Sequence, residues 1–347
     1  MTVDVIAFDM STPDDLGAVA AAIDGAGVQR IRRLSLLLRV AGEYTDGSRE
    51  KARAAVEALL ARHALADRAE YVTVIGAEGA STPCGYALID TGDERSSGGP
   101  SRLAMGLARL PPCPEPVIGT LAMARLTRGA VETAMRDAGL VAADVAAVIV
   151  NVPQPEEDVA RRARRGRAAA ALGAGAAIGE VNLDSLGESD IVDNADIFAR
   201  RVHTFAGPGI NAIGVVVIGN AAGAGGDLVA CHGLMLDLID AVSVKRMLVA
   251  AGLTLDADGE VVTQDRLVAT IAKLGARPDG RVRGAPTTIF GSATPPEKHV
   301  RAAMSGVLGA ALHTTRVFST FDPVQQAPLG GGAICCILRA NGQDKRN

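Results

Sequence analysis

Near the C-terminus, residues 319–340 read STFDPVQQAPLGGGAICCILRA. The hydroxyl pair Ser319 and Thr320, the acid Asp322 and the glycines Gly330–Gly332 run straight into an apolar strand. A hydroxyl is a poor nucleophile until a neighbouring base takes its proton, and a lysine can serve when desolvation and nearby cations lower its pKa. Lys273, in TIAKLGARPDG, follows an apolar strand directly before a turn, a place where a lysine snorkelling from the strand end is the commoner reading. Other chemistry-bearing patterns are weaker. Gly219–Gly226 (GNAAGAGG) follows a strand but lacks the GK[ST] ending of a phosphate loop and the acid of a dinucleotide site, so it reads as a packing turn. His63, His232, His299 and His313 have no metal-ligand spacing, and no zinc signature is present. Neither a metal nor a cofactor is expected. Cys335 and Cys336 sit in an apolar strand as buried hydrophobes, and the acids between Glu188 and Asp196 read as a solvated loop.

The elements that must position these residues alternate in type. Helices are expected at Ser48–His63, Gly129–Gly139 (with Gly139 as C-cap), Arg167–Ile178, Leu234–Ala250 and Lys298–Leu312. Strands are expected at Glu70–Gly76, Val145–Val150, Ile213–Ile218, Val268–Leu274 and Ala333–Ala340. This is an α/β pattern. The polar stretches Thr91–Ser101 and Gly252–Gly259 divide the chain into three pieces of domain size. Internal similarity points to repetition: VTVIGAEGA from Val72 resembles VVVIGNAAGA from Val215, and Ala-rich helices open on Arg49, Arg167 and Lys298.

A composition 48% hydrophobic and 21% charged is that of a globular chain. Aromatic residues make up 3%, with no Trp, which argues against base-stacking platforms for nucleic acid. The one basic cluster, Arg161–Arg167, reads as a solvated helix end. No secretory signal or membrane-length apolar run is visible, and five cysteines, an odd number, suit free thiols in a reducing compartment. The expectation is a soluble, cytoplasmic chain that engages no nucleic acid and no membrane.

The ordered set TDGSREKARAAVEALLARH, RLAMGLA, VETAMRDAGL, HGLMLDLIDAVSVKRML, ARPDGRVRG and QAPLGGGAICCILRA resembles the ring-opening amidohydrolases, the cyanuric acid hydrolase and barbiturase family, over nearly the whole chain. The resemblance implies three similar α/β domains in one chain around a pseudo-threefold axis, here drawn as 1–100, 101–250 and 251–347, with the active pocket between them. It implies a homo-oligomer, a tetramer, and a small cyclic substrate. It also implies that each domain brings a serine, a lysine and an arginine to the pocket.

Position by position, that set has thinned. The places of the lysines are taken by Arg39, Asn151 and Lys273. The places of the serines fall at Val74 or Ile75, at Phe205 (with His203 and Thr204 just before it), and at Thr320 beside Ser319, where Phe321 and Asp322 replace a pair of small residues. The arginine places match Arg49, Arg167 and either Lys298 or Arg301. The resemblance therefore implies Lys273 as base, Ser319 or Thr320 as nucleophile, and Arg39, Arg49 and Arg167 as grips for carbonyl oxygens, with Phe205 and Phe321 as an apolar flank. His203 is a candidate replacement base, and Cys84 a replacement nucleophile should arginines depress its pKa. A structural cation of the family would lack its carboxylate here, where Gly275 stands.

The expected function is hydrolysis of an amide C–N bond in a small cyclic amide, imide or related heterocycle, with cyanuric acid itself a poor substrate. Non-hydrolytic acid–base chemistry of the isomerase or lyase type in the same pocket, and a catalytically inactive small-molecule-binding homologue, are the alternatives.

Overall fold

The computed structural model describes residues 1–43, 45–76, 79–92, 99–262 and 264–340. Parts of two stretches singled out above, 93–98 of the Thr91–Ser101 boundary and 77–78 of the Val72–Ala80 repeat, lie outside the described residues.

The chain folds the same way three times. The first unit runs β1 (Val3–Asp9), α1 (Gly17–Ala26), β2 (Arg33–Val40), α2 (Ser48–Arg62), β3 (Ala69–Ile75), β4 (Cys84–Asp90). The second runs β5 (Ser101–Pro112), α3 (Leu121–Ala138), β6 (Val145–Val152), α4 (Val159–Ala177), a one-turn α5 (Asp190–Asp193), β7 (Val202–Ala206), β8 (Ala212–Ala222). The third runs β9 (Leu228–Met235), α6 (Ala241–Ala250), β10 (Leu267–Leu274), a short ribbon of β11 (Arg281–Val282) and β12 (Ala285–Pro286), α7 (Pro296–Leu312), β13 (Phe318–Phe321), β14 (Gly332–Arg339). Each unit makes a four-stranded sheet in which the first strand pairs with the last, the last with the second, and the second with the third: β1-β4-β2-β3, β5-β8-β6-β7 and β9-β14-β10-β13. The second and third strands are parallel, joined by a helical crossover as parallel pairs require.

β9 and α6 belong to the third unit, because β9 pairs along its whole length with β14. A division at residue 250 would cut that sheet, so the third unit starts at Leu228. The expected helix Leu234–Ala250 is correspondingly a strand to Met235, then a turn, then a helix whose cap Asp240 accepts a bond from Ser243 N at 3.0 Å. Helix α4 starts at Val159, eight residues before Arg167.

Alternation along the strands sends one face inward and one outward. Outer-face residues such as Leu34, Leu36 and Leu38 pack on Val19, Val56 and Leu60 of α1 and α2. In the third unit Leu274, Ile334 and Cys336 pack in the same way on Val244, Val300 and Met304. Inward residues Leu37, Tyr86, Phe205, Ile271 and Phe318 join one central cluster shared by all three sheets. In the middle unit α3 and α4 approach closely, since a side chain at Gly173 would strike the Ala124 carbonyl. The glycines of 330–332 make a packing turn: Gly330 has φ 87°, and Gly332 opens β14 against Leu274. Gly219–Gly226 is likewise a turn, with Gly225 N bonded to Met1 O at 2.7 Å.

Candidate active site

The repetition locates the site. Arg39, Asn151 and Lys273 are each the seventh residue of an eight-residue strand, the second of their units. Their parallel partners are Val74, Phe205 and Thr320, the three serine places of the sequence comparison. Around the ends of these strands lies a cavity of about 480 Å³.

The cavity gathers most of the expected residues. Arg39, Arg49, Arg167 and Arg301 bring positive groups and Lys273 a buried amine; Phe205 and Phe321 bring apolar flanks; Ser319, Thr320 and Asp322 complete one wall. Lys273 is 2% exposed. Its Nζ donates to the Thr204 carbonyl of the neighbouring unit and lies 5.0 Å from the Phe205 ring centroid. Burial, with help from the Arg167 charge and against the pull of Asp322, holds its pKa well below that of an ordinary lysine. A shift in this direction makes a lysine a better general base than an ordinary one. Thr320 stands directly opposite Lys273 on the same face of the sheet, and its buried Oγ1 has no hydrogen-bond partner. Ser319 is set against Ala272 and shares the outward face. Between the two hydroxyls the register favours Thr320.

Asp322 replaces a small residue with an anion. Its carboxylate is paired with Arg167 and, at 3.4 Å, with Arg164. Burial opposes its ionisation, but the charges of Arg167, Arg164 and Lys273 hold its pKa below the usual value. Its backbone is left-handed, with φ 56°, directly before Pro323. Arg167 is thus engaged by a protein carboxylate. Arg301 stacks over the Phe321 ring at 4.3 Å, and Arg49 donates to Ala206 O at 3.2 Å. The arginine cluster 161–167 is not a solvated end: Arg162 pairs with Glu115 at 2.5 Å, and Arg164 and Arg167 hold Asp322.

Four expected residues stand elsewhere. Asn151 does not line the cavity; its Nδ2 donates to Tyr71 O at 2.9 Å and to Glu70 Oε2 at 3.1 Å. Lys298 sits 3.8 Å from Glu43 on the first turn of α7, leaving Arg301 as that helix's contribution. His203 shares the face of Phe205 two residues deeper along β7, where it is fully buried; neither ring nitrogen has a partner, and burial pushes its pKa down to about 3, with Lys273 adding to the effect. It does not line the cavity. Cys84 is buried as well, and desolvation raises its thiol to about 11 despite Arg39, the reverse of an activated nucleophile. The sequence reading gave Glu50 and Gln154 no role, although both line the cavity. Gln154, two residues past β6 in VNVPQP, stands just beyond the Asn151 place.

The carboxylate that the family's cation would use is missing at Gly275, while carbonyl oxygens around Gln325–Leu329 remain. A Cβ at Gly275 would lie 2.6 Å from Cδ of Pro323, and the Gln325 amide is taken by Asp190 O at 2.8 Å and Asn194 O at 3.1 Å. Among the described residues no group of three or more His, Cys, Asp or Glu could hold a metal.

A model of the amidohydrolase ring-opening protein family matches residues 4–339. The chain belongs to this family of hydrolases. It is 32% identical to a cyanuric acid amidohydrolase of Methylobacterium sp. (strain 4-46), over 98% of this chain and 97% of that one. It is 30% identical to a cyclic amide hydrolase of Azorhizobium caulinodans, over 98% and 100%. Its structure superposes with a TM-score of 0.87 and 27% identity on a solved cyanuric acid hydrolase described as a structural concatenation, over 98% of this chain and 99% of that one. The value for the cyanuric acid hydrolase of A. caulinodans is 0.84, at 27% identity, with 98% and 99% covered. Three similar sheet–helix units in one chain are the family's architecture, as the resemblance implied. No described helix is long and apolar enough to cross a membrane.

Proposed function

We propose that this chain hydrolyses an amide C–N bond of a small, flat cyclic amide, imide or related heterocycle less symmetric than cyanuric acid. The observation that carries the reading is the buried Lys273 paired in register with Thr320 at the wall of a cavity rich in arginine. Thr320 Oγ1 would attack a ring carbonyl carbon while its proton passes to Lys273 Nζ. The oxyanion would be held by guanidinium groups, with Arg39 and Arg301 placed for it, since no small pair follows Thr320 to offer backbone donors. Collapse breaks the ring C–N bond, and the departing nitrogen takes the proton from Lys273. Water, activated by the same amine, then hydrolyses the ester. An imide N–H between two carbonyls is acidic, so an excess of arginine also suits an anionic ring. The Asp322–Arg167 pair supports the lower symmetry, because it occupies a guanidinium that would otherwise meet a further carbonyl. Five free cysteines fit a reducing cytoplasm.

A second reading, acid–base chemistry at Lys273 without a covalent intermediate, is favoured by the partnerless Thr320 Oγ1. Mass spectrometry of the peptide carrying Thr320 after quenched turnover decides between them: an acyl adduct supports the nucleophile, and its absence during turnover overturns it. Robust turnover of cyanuric acid, abolished in Lys273→Ala, would overturn the proposed substrate class.

A further inference from the structure

A second cavity of about 320 Å³ lies beside the first, and Phe321 and Asp322 line both. Its chemistry is different. Ala276, Val300, Val324, Ala327 and Pro328 make its walls apolar. Its two cations are paired, Arg164 with Asp322 and Arg277 with Asp279 at 2.9 Å, and Glu297 is the further charged residue of its lining. The partition between the cavities is the Phe321 ring with Arg301 stacked over it. Pockets that bury a drug-sized ligand start at about 300 Å³, so the pair together exceeds what a bare ring fills. A chamber lined by several arginines, beside one whose lining residues are mainly apolar and whose two arginines are paired, fits a molecule with one polar and one greasy end.

We propose that the second cavity receives an apolar alkyl or aryl arm carried by the cyclic substrate, with Phe321 as the shoulder past which the arm turns. The inference rests on the first cavity holding the ring, as the proposed function requires. Apolar contact of this kind favours the arm-bearing ring in proportion to the area buried.

Calorimetry on the Lys273→Ala protein, which binds without turnover, would compare succinimide and hydantoin with their butyl- and phenyl-substituted forms. The arm is expected to tighten Kd about tenfold or more. Ala195→Trp, a change at an exposed rim residue of the second cavity, should erase that gain and leave binding of the bare rings as it was. Leu329→Asp, 40% exposed on the same rim, is expected to shrink it. Equal affinity for bare and substituted rings, a gain that survives Ala195→Trp, or no binding of either, overturns the inference. Turnover by the wild-type protein is scored separately: rings bound with the arm's advantage but never opened would sink the hydrolytic reading and leave the second cavity standing.

Discussion

The junction around Asn151 and the junction around Lys273 occupy equivalent places and do opposite things. Both residues reach across to the neighbouring unit's third strand, Asn151 to Tyr71 O and Lys273 to Thr204 O. At the first junction Glu70, 4% exposed, accepts from Asn151 and, at 2.6 Å, from Arg109, and Arg109 also donates to Ala69 O. The donors there are engaged with the protein, although Asn151 Oδ1 is left without a partner and burial lifts the Glu70 carboxyl above its ordinary pKa. At the second, the amine faces the arginine-rich cavity, burial lowers its pKa, and the opposing hydroxyl has no partner. Joining three units in one chain lets each junction change alone. One has become an interdomain clasp, and another keeps the groups that chemistry needs.

The largest test of that contrast is activity. Lys273→Ala should lower kcat/KM for the chain's substrate about 10³-fold or more, whereas Asn151→Ala should leave it within a few-fold; comparable losses in both would erase the distinction. Thr320→Ala should match the lysine variant, and Ser319→Ala should not. Wild-type activity is also expected to fall as pH drops through the depressed pKa of Lys273, because the protonated amine cannot accept the hydroxyl proton.

Asp322→Gly is the next step down. Glycine accepts the φ of 56° at this position, and loss of the carboxylate releases Arg167. The expected outcome is a gain of about tenfold in kcat/KM for cyanuric acid, read against a fall for less symmetric rings. Unchanged preference would show that the ion pair does not set symmetry.

Stability effects are smaller. Asn151→Ala should reduce unfolding free energy by about 1–2 kcal/mol by removing two hydrogen bonds at the clasp, seen as a lower denaturation midpoint. His203→Met should raise stability by about 1 kcal/mol, since it removes two buried nitrogens that lack partners. The pH dependence has a definite sign. Native His203 remains neutral down to about 3, whereas the unfolded imidazole takes up a proton near 6.5. Between those values the unfolded chain binds the extra proton, so wild-type stability falls as pH falls. The Met variant should lose that component of the slope; an unchanged slope would mean His203 is not the group responsible.

Much of this was readable from the sequence where a local rule governed. Gly139 caps α3 in a left-handed conformation, and β10 is an apolar run with Lys273 one residue before its end. Local rules failed where tertiary partners decided. The segment from Leu228 to Met235 is a strand because β14 pairs with it, although HGLMLDLIDAV has helical spacing. The polar RRARR stretch hid the start of α4 because its arginines spend their charge on Glu115 and Asp322. Asp322 and Arg167 are 155 residues apart in sequence, and no periodicity reveals such a pair. Ser319 and Thr320 were indistinguishable as types; only the register against Ala272 and Lys273 separates them.

Gln326 carries a consequence for how the chain matures. β7 is an edge strand of the middle sheet, and its outward N–H at Thr204 is met at 2.8 Å by Oε1 of Gln326, while Lys273 takes the carbonyl of the same residue. Both partners come from the last third of the chain. Until that third is synthesised, the middle sheet presents an open edge, the kind of surface that recruits foreign strands and seeds aggregation. Expression of residues 1–226 alone should therefore yield insoluble protein, and the full chain should become soluble only as its C-terminal turn docks.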